Sequence, residues 1–512
     1  MIQIKNISKE YGTKEVFSGI SFTIDKREKI ALVGRNGSGK TTLMKIIAGI
    51  EEQDSGDVSI PKNIKLAYSS QVIELKNKNQ KTIDYIKENI NDVQENEIYK
   101  LIKIFKLEDN ILNFSLSKLS GGQKTKVSLL KILLSDTDFI LMDEPTNNLD
   151  LDSLICLENF VKKSNAGFLI ISHDRRFLDN TVSKVMELKD GEINIEKGSY
   201  SDYLKRSEEK INRHKLEYES QQEKIEELQN TADQKKVDAT KGAKYAGTDN
   251  DKMLRNFKRE QSKGSAKEAK RIEKRIDKMD LVDEPEKQSS LKIEIDSSDY
   301  NGNNSIVARD LFVGYEDFKA GPFNFDINFG DKICFIGDNG TGKTTLLRTI
   351  IGEIKPVEGE INVGSKIKFG NLTQEHENLP GDKTLFDFIK EKTDKDDSLI
   401  FNVLKKFNFS EDQIKKKIET LSPGEKTRLL LALFTEQSVN TLILDEPSNH
   451  LDLEALSAVE EAVINYEGTV IIVSHDRYLI EKINPENIYK VSKSGLSRVL
   501  DYQGYINDLK II

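Results

Sequence analysis

The hydrophobic positions of this chain follow two different patterns along its length. Short continuous apolar runs recur in two stretches: KIALVG, FILMDEP and FLIIS in the first, and KICFIG, LILDEP and VIIVS in the second. Runs of this kind predict strands that are buried on both faces, as in the parallel sheet of an α/β domain. KIALVG and KICFIG each lead through a glycine-rich loop into LMKIIAGI or LLRTIIGE, which predicts a strand, a loop and a helix in that order.

Between these stretches the apolar spacing is helical. One stripe falls seven residues apart, at Leu204, Ile211, Tyr218 and Ile225, and a second follows at Ala266, Ala269, Ile272, Ile276 and Met279. Two such helices joined by a loop predict an antiparallel hairpin. The predicted fold class is therefore α/β, with two tandem repeated domains at residues 1–199 and 291–512. An α-helical hairpin linker with a basic tip is expected at residues 200–290.

The distribution of charge adds information about function only in the linker. The whole chain has 512 residues and a net charge of −9, which argues against a polyanionic partner. Residues 235–278 reverse the sign, with fifteen Lys or Arg against seven acidic residues. Such a segment suits contact with nucleic-acid phosphates, or else is simply the solvated face of the hairpin. Since the apolar runs are far shorter than the ~20 residues of a membrane span, and no signal peptide is visible, we expect a cytoplasmic protein without membrane partners.

The glycine-rich loops have the composition of a phosphate-binding loop. GRNGSGKTT and GDNGTGKTT both match G-x-x-x-x-G-K-[ST]. The glycines let backbone N–H groups point at phosphate oxygens, the lysine reaches the terminal phosphates, and the next hydroxyl ligates Mg²⁺. The predicted nucleotide-binding residues of the loops are Gly34, Asn36, Gly37, Gly39, Lys40, Thr41 and Thr42, and in the second copy Gly337, Asn339, Gly340, Gly342, Lys343, Thr344 and Thr345.

Each copy then places a pair of acids after a later apolar run. The distance from the loop lysine is 103 residues to Asp143 and 102 residues to Asp445. A parallel strand that delivers an aspartate beside a phosphate loop completes a Mg²⁺ site. The next residue, Glu144 or Glu446, is placed to accept a proton from the attacking water.

Further motifs make both stretches similar to the nucleotide-binding domains of the ABC superfamily. LSGGQ and LSPGE precede the acidic strands by about twenty residues, and a histidine lies 29 residues past each glutamate. The resemblance implies an ATPase that uses ATP and Mg²⁺, with Glu144, Glu446, His173 and His475 as catalytic residues. It implies adenine stacking by Tyr11 and Tyr315, Mg²⁺ ligation by Thr41, Gln71, Asp143, Thr344, Gln374 and Asp445, and D-loops at 148–150 and 450–452.

In this family the LSGGQ signature of one domain caps the nucleotide that the other domain holds. The expected capping residues are Ser120 and Gly122 for one site and Ser422 and Gly424 for the other. A monomer with an intramolecular ABC dimer follows from this pairing. Pro423 replaces a glycine and removes one backbone N–H from the cap of the Lys40 site, which predicts slower turnover at that site.

Two fused ABC domains with a basic hairpin between them resemble the ABC-F proteins, which act on ribosomes. That resemblance implies a hairpin that enters the exit site of the 70S ribosome and contacts large-subunit RNA and the tRNA in the peptidyl site. Cationic side chains suit phosphates, and aromatic or apolar ones can stack or wedge among bases. The candidate RNA-binding residues are Lys241, Lys244, Tyr245, Lys252, Met253, Arg255, Phe257, Lys258 and Arg259.

The sequence indicates a resemblance to the ABC-F proteins more strongly than it indicates a subgroup among them. Only 48 residues separate Gln71 from Ser120, so the first domain lacks the arm insertion of several housekeeping ABC-F proteins. This chain looks most like the antibiotic-resistance members, which protect the peptidyl-transferase region from lincosamides, streptogramin A and pleuromutilins. A housekeeping ABC-F factor that resolves stalled ribosomes stays open as the alternative. The ATPase subunit of a transporter and a chromosome or repair ATPase are further alternatives.

Overall fold

The described chain divides into two compact units. A computed structural model describes residues 1–35, 37–69, 79–88, 90, 94–147, 149–243, 252–279, 281–283, 305–315, 318–372, 379–393, 395–407, 409–447 and 453–511. One unit comprises Met1–Ser201 and Ser289–Ile512, and the other Asp202–Gln288. The domain boundaries given above stay predictions. No helix in the described ranges is long and apolar enough to cross a membrane.

The first repeat combines a six-stranded sheet with a three-stranded one. Its strands are β1 (Ile2–Tyr11), β2 (Lys14–Ile24), β3 (Lys29–Val33), β4 (Ser55–Ser59), β5 (Leu66–Ser69), β6 (Phe139–Asp143), β7 (Gly167–Ile171), β8 (Lys184–Lys189) and β9 (Glu192–Lys197). Its helices are α1 (Lys40–Ile47), α2 (Thr82–Lys87), α3 (Glu95–Ile104), α4 (Gly121–Leu134), α5 (Leu151–Lys163) and α6 (Arg175–Thr181). The strand orders are β5-β6-β7-β3-β8-β9 and β2-β1-β4.

The linker consists of two long helices, α7 (Tyr200–Ala243) and α8 (Lys252–Ile276). They pack antiparallel, because Ala239 of α7 lies against Ser262 of α8, whereas Gln221, earlier in α7, hydrogen-bonds to Val282, which follows α8. Ion pairs also join them, Lys235 with Glu268 and Lys236 with Glu273, each at 2.8 Å between Nζ and the carboxylate. Ser262 of α8 packs against α7, and its hydroxyl donates to a backbone carbonyl of α7 at 2.6 Å. The predicted hairpin is present, with α7 ending at Ala243 and α8 beginning at Lys252.

The predicted hydrophobic stripes of the hairpin are partly wrong. Ile211 is 42% exposed, and Ala266 also faces solvent. The inward face of α8 instead includes Ser262 and Ala269, which are both buried. Small residues allow the two backbones to approach, and a stripe drawn from apolar residues alone does not detect a buried serine.

The second repeat has the same architecture. Its strands are β10 (Ile306–Tyr315), β11 (Phe318–Ile327), β12 (Lys332–Ile336), β13 (Glu358–Val363), β14 (Phe369–Leu372), β15 (Thr441–Asp445), β16 (Thr469–Val473), β17 (Asn487–Ser492) and β18 (Gly495–Val499). Its helices are α9 (Lys343–Ile350), α10 (Leu385–Lys392), α11 (Asp397–Lys406), α12 (Glu411–Ile414), α13 (Pro423–Glu436), α14 (Leu453–Ile464), α15 (Arg477–Ile483) and α16 (Tyr502–Ile511). The strand orders are β14-β15-β16-β12-β17-β18 and β11-β10-β13.

The central strands of both large sheets are the apolar runs of the sequence. Strands β6, β7 and β3 lie side by side and parallel, and every residue of β6 and β7 is buried. Strands β15, β16 and β12 repeat this arrangement. Because parallel strands end at the same edge of the sheet, the loops that follow these three strands meet there. This confirms the α/β fold class and brings the predicted site residues of each repeat together.

Candidate nucleotide sites between the repeats

The described residues of the two glycine-rich loops have nearly identical conformations. Gly39 has a left-handed φ of 97°, and a Cβ built on it would lie 2.4 Å from a methyl carbon of Val16. Any larger residue here would therefore be both strained and obstructed. Lys40 curls back over the loop, and its Nζ donates to the carbonyls of Gly34 at 2.7 Å and Arg35 at 2.9 Å. The Nζ of Lys343 does the same with Gly337 and Asp338, at 2.7 and 3.0 Å.

A hydroxyl and a carboxylate meet beside each loop. Asp143 ends β6 in a buried position and forms a hydrogen bond with Thr41. Asp445 ends β15 and forms the equivalent bond with Thr344. Burial raises the pKa of both aspartates, and these hydroxyl bonds oppose the rise. Each site thus presents a pair of hard oxygen donors at the end of its buried strand.

The two glutamates sit in a strained backbone conformation. Glu144 has a φ of 51° and Glu446 a φ of 48°, in the left-handed region that non-glycine residues rarely adopt. Strain of this kind is held by its surroundings and clusters at functional sites. The backbone N–H groups of these glutamates donate to Ile171 at 2.9 Å and Val473 at 2.8 Å. The conformation turns each carboxyl away from its strand, toward the histidine of the neighbouring strand.

Burial controls the protonation of these groups. It raises the pKa of Glu144 and of Glu446 to about 8, with the adjacent aspartates adding to the shift. Nε2 of His173 lies 3.2 Å from a carboxylate oxygen of Glu144, and the corresponding distance from His475 to Glu446 is 3.4 Å. Burial also lowers the pKa of His475 to about 3, assisted by the nearby positive charge of Lys343. Burial thus favours the uncharged form of both groups in the second pair.

One pocket is built from both repeats. It has a volume of about 460 Å³, and Ser120 and Gly122 line it together with Lys343, Thr344 and Glu446. Ser120 caps α4, since its hydroxyl accepts from the backbone N–H of Gln123 at 3.2 Å, while the Gln123 side chain accepts from the Ser120 N–H at 2.9 Å. This capping box fixes the start of α4 where it faces the second glycine-rich loop. The structure thus joins the first signature to the second loop, as the ABC resemblance implies.

The second pocket differs in composition. It has a volume of about 360 Å³, and the described residues that line it all come from the first repeat, among them Tyr11, Lys40 and Glu144. Ser422 and Gly424 lie at the start of α13 and are not among those residues. Helix α13 begins at Pro423, whose nitrogen carries no hydrogen. The structure therefore brings residues of both repeats together at one composite site, and the described residues that line the other pocket do not include its predicted cap, Ser422 and Gly424.

The expected adenine-stacking rings also differ between the sites. The Tyr11 hydroxyl bonds to Glu51, and Lys9 lies 5.4 Å from the centre of its ring. Tyr315 faces Phe318 instead, with 5.8 Å between ring centres and 39° between ring planes. Phe318 of β11 lies opposite Tyr315 of β10, at the position that Lys14 of β2 occupies opposite Tyr11 of β1. The sequence analysis missed Phe318, although its position at the start of β11 could have indicated a second ring.

Reciprocal ion pairs join the two repeats. Arg175 of the first repeat contacts Glu460 at 3.3 Å, and Arg477 of the second repeat contacts Glu158 at 2.8 Å. All four side chains are at least 92% buried. Each arginine follows the histidine of its repeat by two residues, so each histidine segment is attached to the opposite repeat. We call these four residues the seam; no sequence motif identified them in advance.

Some predicted residues lie outside the described ranges. They are Asn36, Gln71, Asn148, Lys244, Tyr245, Gln374, His450, Leu451 and Asp452. On the hairpin, Phe257 is 68% exposed and Lys241 faces solvent. The backbone is helical at Lys252, Met253, Arg255, Lys258 and Arg259. The roles assigned to all the site residues stay predictions.

Comparison with known proteins agrees with this architecture. The family model described as ABC transporter matches twice, at residues 17–147 and 321–449. ATP-binding protein Uup of Buchnera aphidicola subsp. Acyrthosiphon pisum is 34% identical, over 94% of this chain and 79% of that protein. ABC transporter F family member 5 of Arabidopsis thaliana is 32% identical, over 94% of this chain and 74% of that protein. Ribosome protection protein VmlR of Bacillus subtilis is 30% identical, over 98% of this chain and 88% of that protein.

A solved structure shares the fold at lower sequence identity. The chain resembles the archaeal ribosome recycling factor aABCE1 in its complex with the ribosomal stalk protein aP1, with a TM-score of 0.64 and 17% identity. The match covers 98% of this chain and 92% of that chain. At this identity the likeness supports only the arrangement of two P-loop domains. The family model and the relatives above show that the chain is an ATPase with tandem ABC domains and belongs to the ABC-F family.

Proposed function

We propose that this protein binds the ribosome in its ATP-bound state and leaves after hydrolysis. The observation that carries the proposal is the pocket that Ser120 and Gly122 of one repeat share with Lys343 of the other. A nucleotide held there would contact both repeats at once, so ATP would favour the closed arrangement of the pair and hydrolysis would release it. The names of VmlR and of the recycling factor support the ribosome as the partner.

The donor set beside each loop fits Mg²⁺. Thr41 with Asp143, and Thr344 with Asp445, offer one hydroxyl and one carboxylate each. Mg²⁺ prefers such oxygen ligands and completes its shell with water and substrate phosphates. When bound, the ion would neutralise charge on the β- and γ-phosphates. We assign the two oxygen pairs, with Gln71 and Gln374, as its ligands.

The protein's own side chains would bind the phosphates, accept the proton and orient the proton acceptors. Lys40 and Lys343 would exchange their loop carbonyls for phosphate oxygens, since an ammonium group binds an anion more strongly than a neutral carbonyl. Glu144 or Glu446 in its carboxylate form would accept the proton of the attacking water as the bond to the leaving ADP breaks. His173 and His475, at 3.2 and 3.4 Å from these carboxyls, would orient them.

The hairpin is proposed as the part that reads RNA. The excess of eight positive charges over residues 235–278 favours phosphate contacts. Phe257, exposed to 68%, supplies a ring that could stack on an unpaired base. We propose that Lys241, Lys244, Tyr245 and their neighbours on α8 contact large-subunit RNA and the tRNA of the peptidyl site from the exit site.

The finer proposal is protection of the peptidyl-transferase region from antibiotics. The name of VmlR and its match to 98% of this chain favour it. A translation factor that resolves stalled ribosomes is the second candidate. It is favoured by the F-family relative, which is slightly more similar to this chain and whose name carries no resistance function.

Drug susceptibility separates the two candidates. The intact protein and a variant with residues 237–263 replaced by a short Gly/Ser loop would be expressed at equal levels in a susceptible bacterium. Protection predicts higher minimum inhibitory concentrations of lincosamides, streptogramin A or pleuromutilins with the intact protein only. If none of the three classes changes, the protection proposal is wrong and the translation-factor proposal takes its place.

A further inference from the structure

A buried ion pair joins α4, the helix that begins at the first signature, to the last residue of the predicted D-loop. Lys126 of α4 is 5% exposed, and Asp150 is 2% exposed. Nζ of Lys126 lies 2.6 Å from Oδ2 of Asp150, and it donates to the carbonyl of Phe105, directly after α3, at 2.9 Å. The signature LSGGQ ends at Gln123, so no predicted site residue includes Lys126. This one cation connects three segments of the first repeat.

Both carboxylate oxygens of Asp150 are held in place. Oδ1 accepts from the backbone N–H of Ser153 at 3.0 Å and so caps the start of α5, while Oδ2 faces Lys126. Burial alone would raise the pKa of Asp150, but the charge of Lys126 and these hydrogen bonds lower it overall. Bonds of this kind are strong because they involve a charged group. Lys126 therefore fixes the orientation of Asp150 where the D-loop turns into α5.

The pair lies beside the composite pocket. Ser120, at the start of α4, lines this pocket, and so does Leu149, which directly precedes Asp150. Lys343 of the second repeat lines the same pocket. Lys126 thus connects the two parts of the first repeat that face the nucleotide site of the second.

The charges of the pair also act on the second repeat. Burial lowers the pKa of Lys343, and the carboxylate of Asp150 is among the groups that oppose this shift. Burial and Lys343 lower the pKa of His475, whereas Asp150 opposes that shift and Lys126 adds to it. Since Coulomb interactions weaken with distance, the pair lies near both of these side chains.

Stability alone gives little reason for a lysine at this buried position. Apolar residues of similar volume are often as stabilising as a buried ion pair, or more so, whereas a single partner left behind is an uncompensated charge. The placement of Lys126 between the signature and the D-loop instead favours a role in the geometry of the composite site.

We propose that Lys126 is a positioning residue for the Lys343 site, and that it holds Asp150 and the first signature together against the nucleotide bound by the second repeat. The proposal rests on the proposed function only in treating the composite pocket as a working ATP site. It also specifies a direction. Lys126 belongs to the first repeat but acts on hydrolysis at the site whose lysine and glutamate, Lys343 and Glu446, belong to the second.

ATP hydrolysis by each site separately tests this direction. Glu144→Gln leaves the proton acceptor of the Lys343 site, and Glu446→Gln leaves that of the Lys40 site. In the Glu144→Gln chain, Lys126→Met should lower kcat about tenfold, as a small displacement of groups around a reacting centre allows. KM for ATP should change less than about twofold, since the described residues that line the pocket do not include Lys126. In the Glu446→Gln chain, the same substitution should change kcat less than about twofold.

Three further variants separate positioning from damage to the fold. Lys131→Met breaks another ion pair of α4, with Glu88 at 3.0 Å, and should change kcat at neither site. Lys126→Arg keeps the cation and should retain more of the rate than Lys126→Met. Lys126→Met with Asp150→Asn removes the orphaned charge, so it should recover most of the unfolding free energy in urea but not kcat.

The results that would overturn the proposal are specific. They are an equal loss of kcat at the two sites, a loss at the Lys40 site alone, no loss at either site, or recovery of kcat together with stability in the double variant. If Lys126→Met does not fold, Lys126→Gln, which keeps a hydrogen-bond donor, gives the same comparison of the two sites. Ribosomes are absent from these assays, so a failure to bind ribosomes would contradict the proposed function and leave the role of Lys126 standing.

Discussion

Replacement of Arg477 by methionine should destabilise the two-repeat unit more than any surface charge would. Methionine retains much of the length of the side chain and removes only the guanidinium group. Arg477 is 2% exposed and its partner Glu158 is 1% exposed, with 2.8 Å between the charged groups. The change would leave a buried carboxylate without its main partner, and it would cut one of the two connections across the seam.

The size of the effect follows from what remains around Glu158. Loss of one partner from a buried ion pair costs about 3–5 kcal/mol. Glu158 keeps a second cation, because Nζ of Lys162 lies 3.0 Å away on a side chain that is 42% exposed. This residual pairing places the expected loss of unfolding free energy just below that range, at about 2–3 kcal/mol. Arg477→Met with Glu158→Leu removes the orphaned charge and should recover most of that loss.

Urea unfolding, followed by circular dichroism, measures these differences. The matched control is Arg176→Met, since Arg176 also pairs across the repeats, with Glu481 at 2.9 Å, but the two side chains are 38% and 29% exposed. It should cost about 0.2–1 kcal/mol. If Arg477→Met proves no more costly than Arg176→Met, the argument that the buried seam holds the repeats together is refuted.

Three other consequences can be measured on the same protein. Folding raises the pKa of Glu144 and of Glu446 from 4.5 to about 8. These two groups therefore stabilise the folded state below the unfolded pKa, and this stabilisation is lost as the pH rises through about 8. The double glutamine variant should remove this slope in urea unfolding between about pH 5 and pH 8.5, and an unchanged slope would contradict the raised pKa. Tyr315→Ala should raise the KM for ATP about tenfold, as loss of one stacked ring allows, whereas Tyr315→Phe should not; equal KM values would remove the stacking role. Single Glu144→Gln and Glu446→Gln variants should retain unequal ATPase rates because Pro423 lacks an N–H at one cap, and equal rates would contradict that asymmetry.

Local motifs explain why the fold class and the residues of each loop could be predicted from sequence. The strand, loop and helix around Lys40 lie within about twenty consecutive residues, and the covalent chain itself keeps them together. Asp143 ends β6 and His173 follows β7, and β7 lies between β6 and β3 in the sheet. The equal spacing of these residues in the two repeats therefore indicated that they meet at one edge of the sheet. The strained φ of Glu144 left no signal in the sequence.

Contacts between the repeats could not be predicted in the same way. The partners Arg175 and Glu460 are 285 residues apart, and Lys106 and Asp338 are 232 apart. Which of the many charged residues meet depends on how the repeats pack, and a net charge of −9 does not determine that. The error at Ala266 has a similar origin, since the buried face of α8 includes Ser262, whose hydroxyl donates to a carbonyl of α7.

The most direct test of the proposed function is sedimentation of the Glu144→Gln/Glu446→Gln variant with 70S ribosomes in ATP and in ADP. These substitutions remove both proposed proton acceptors while retaining the loops, the signatures and the seam. Our account predicts that the variant pellets with ribosomes in ATP and stays in the supernatant in ADP, because only ATP favours the closed pair of repeats. Equal sedimentation in the two nucleotides, or none in ATP, would contradict it.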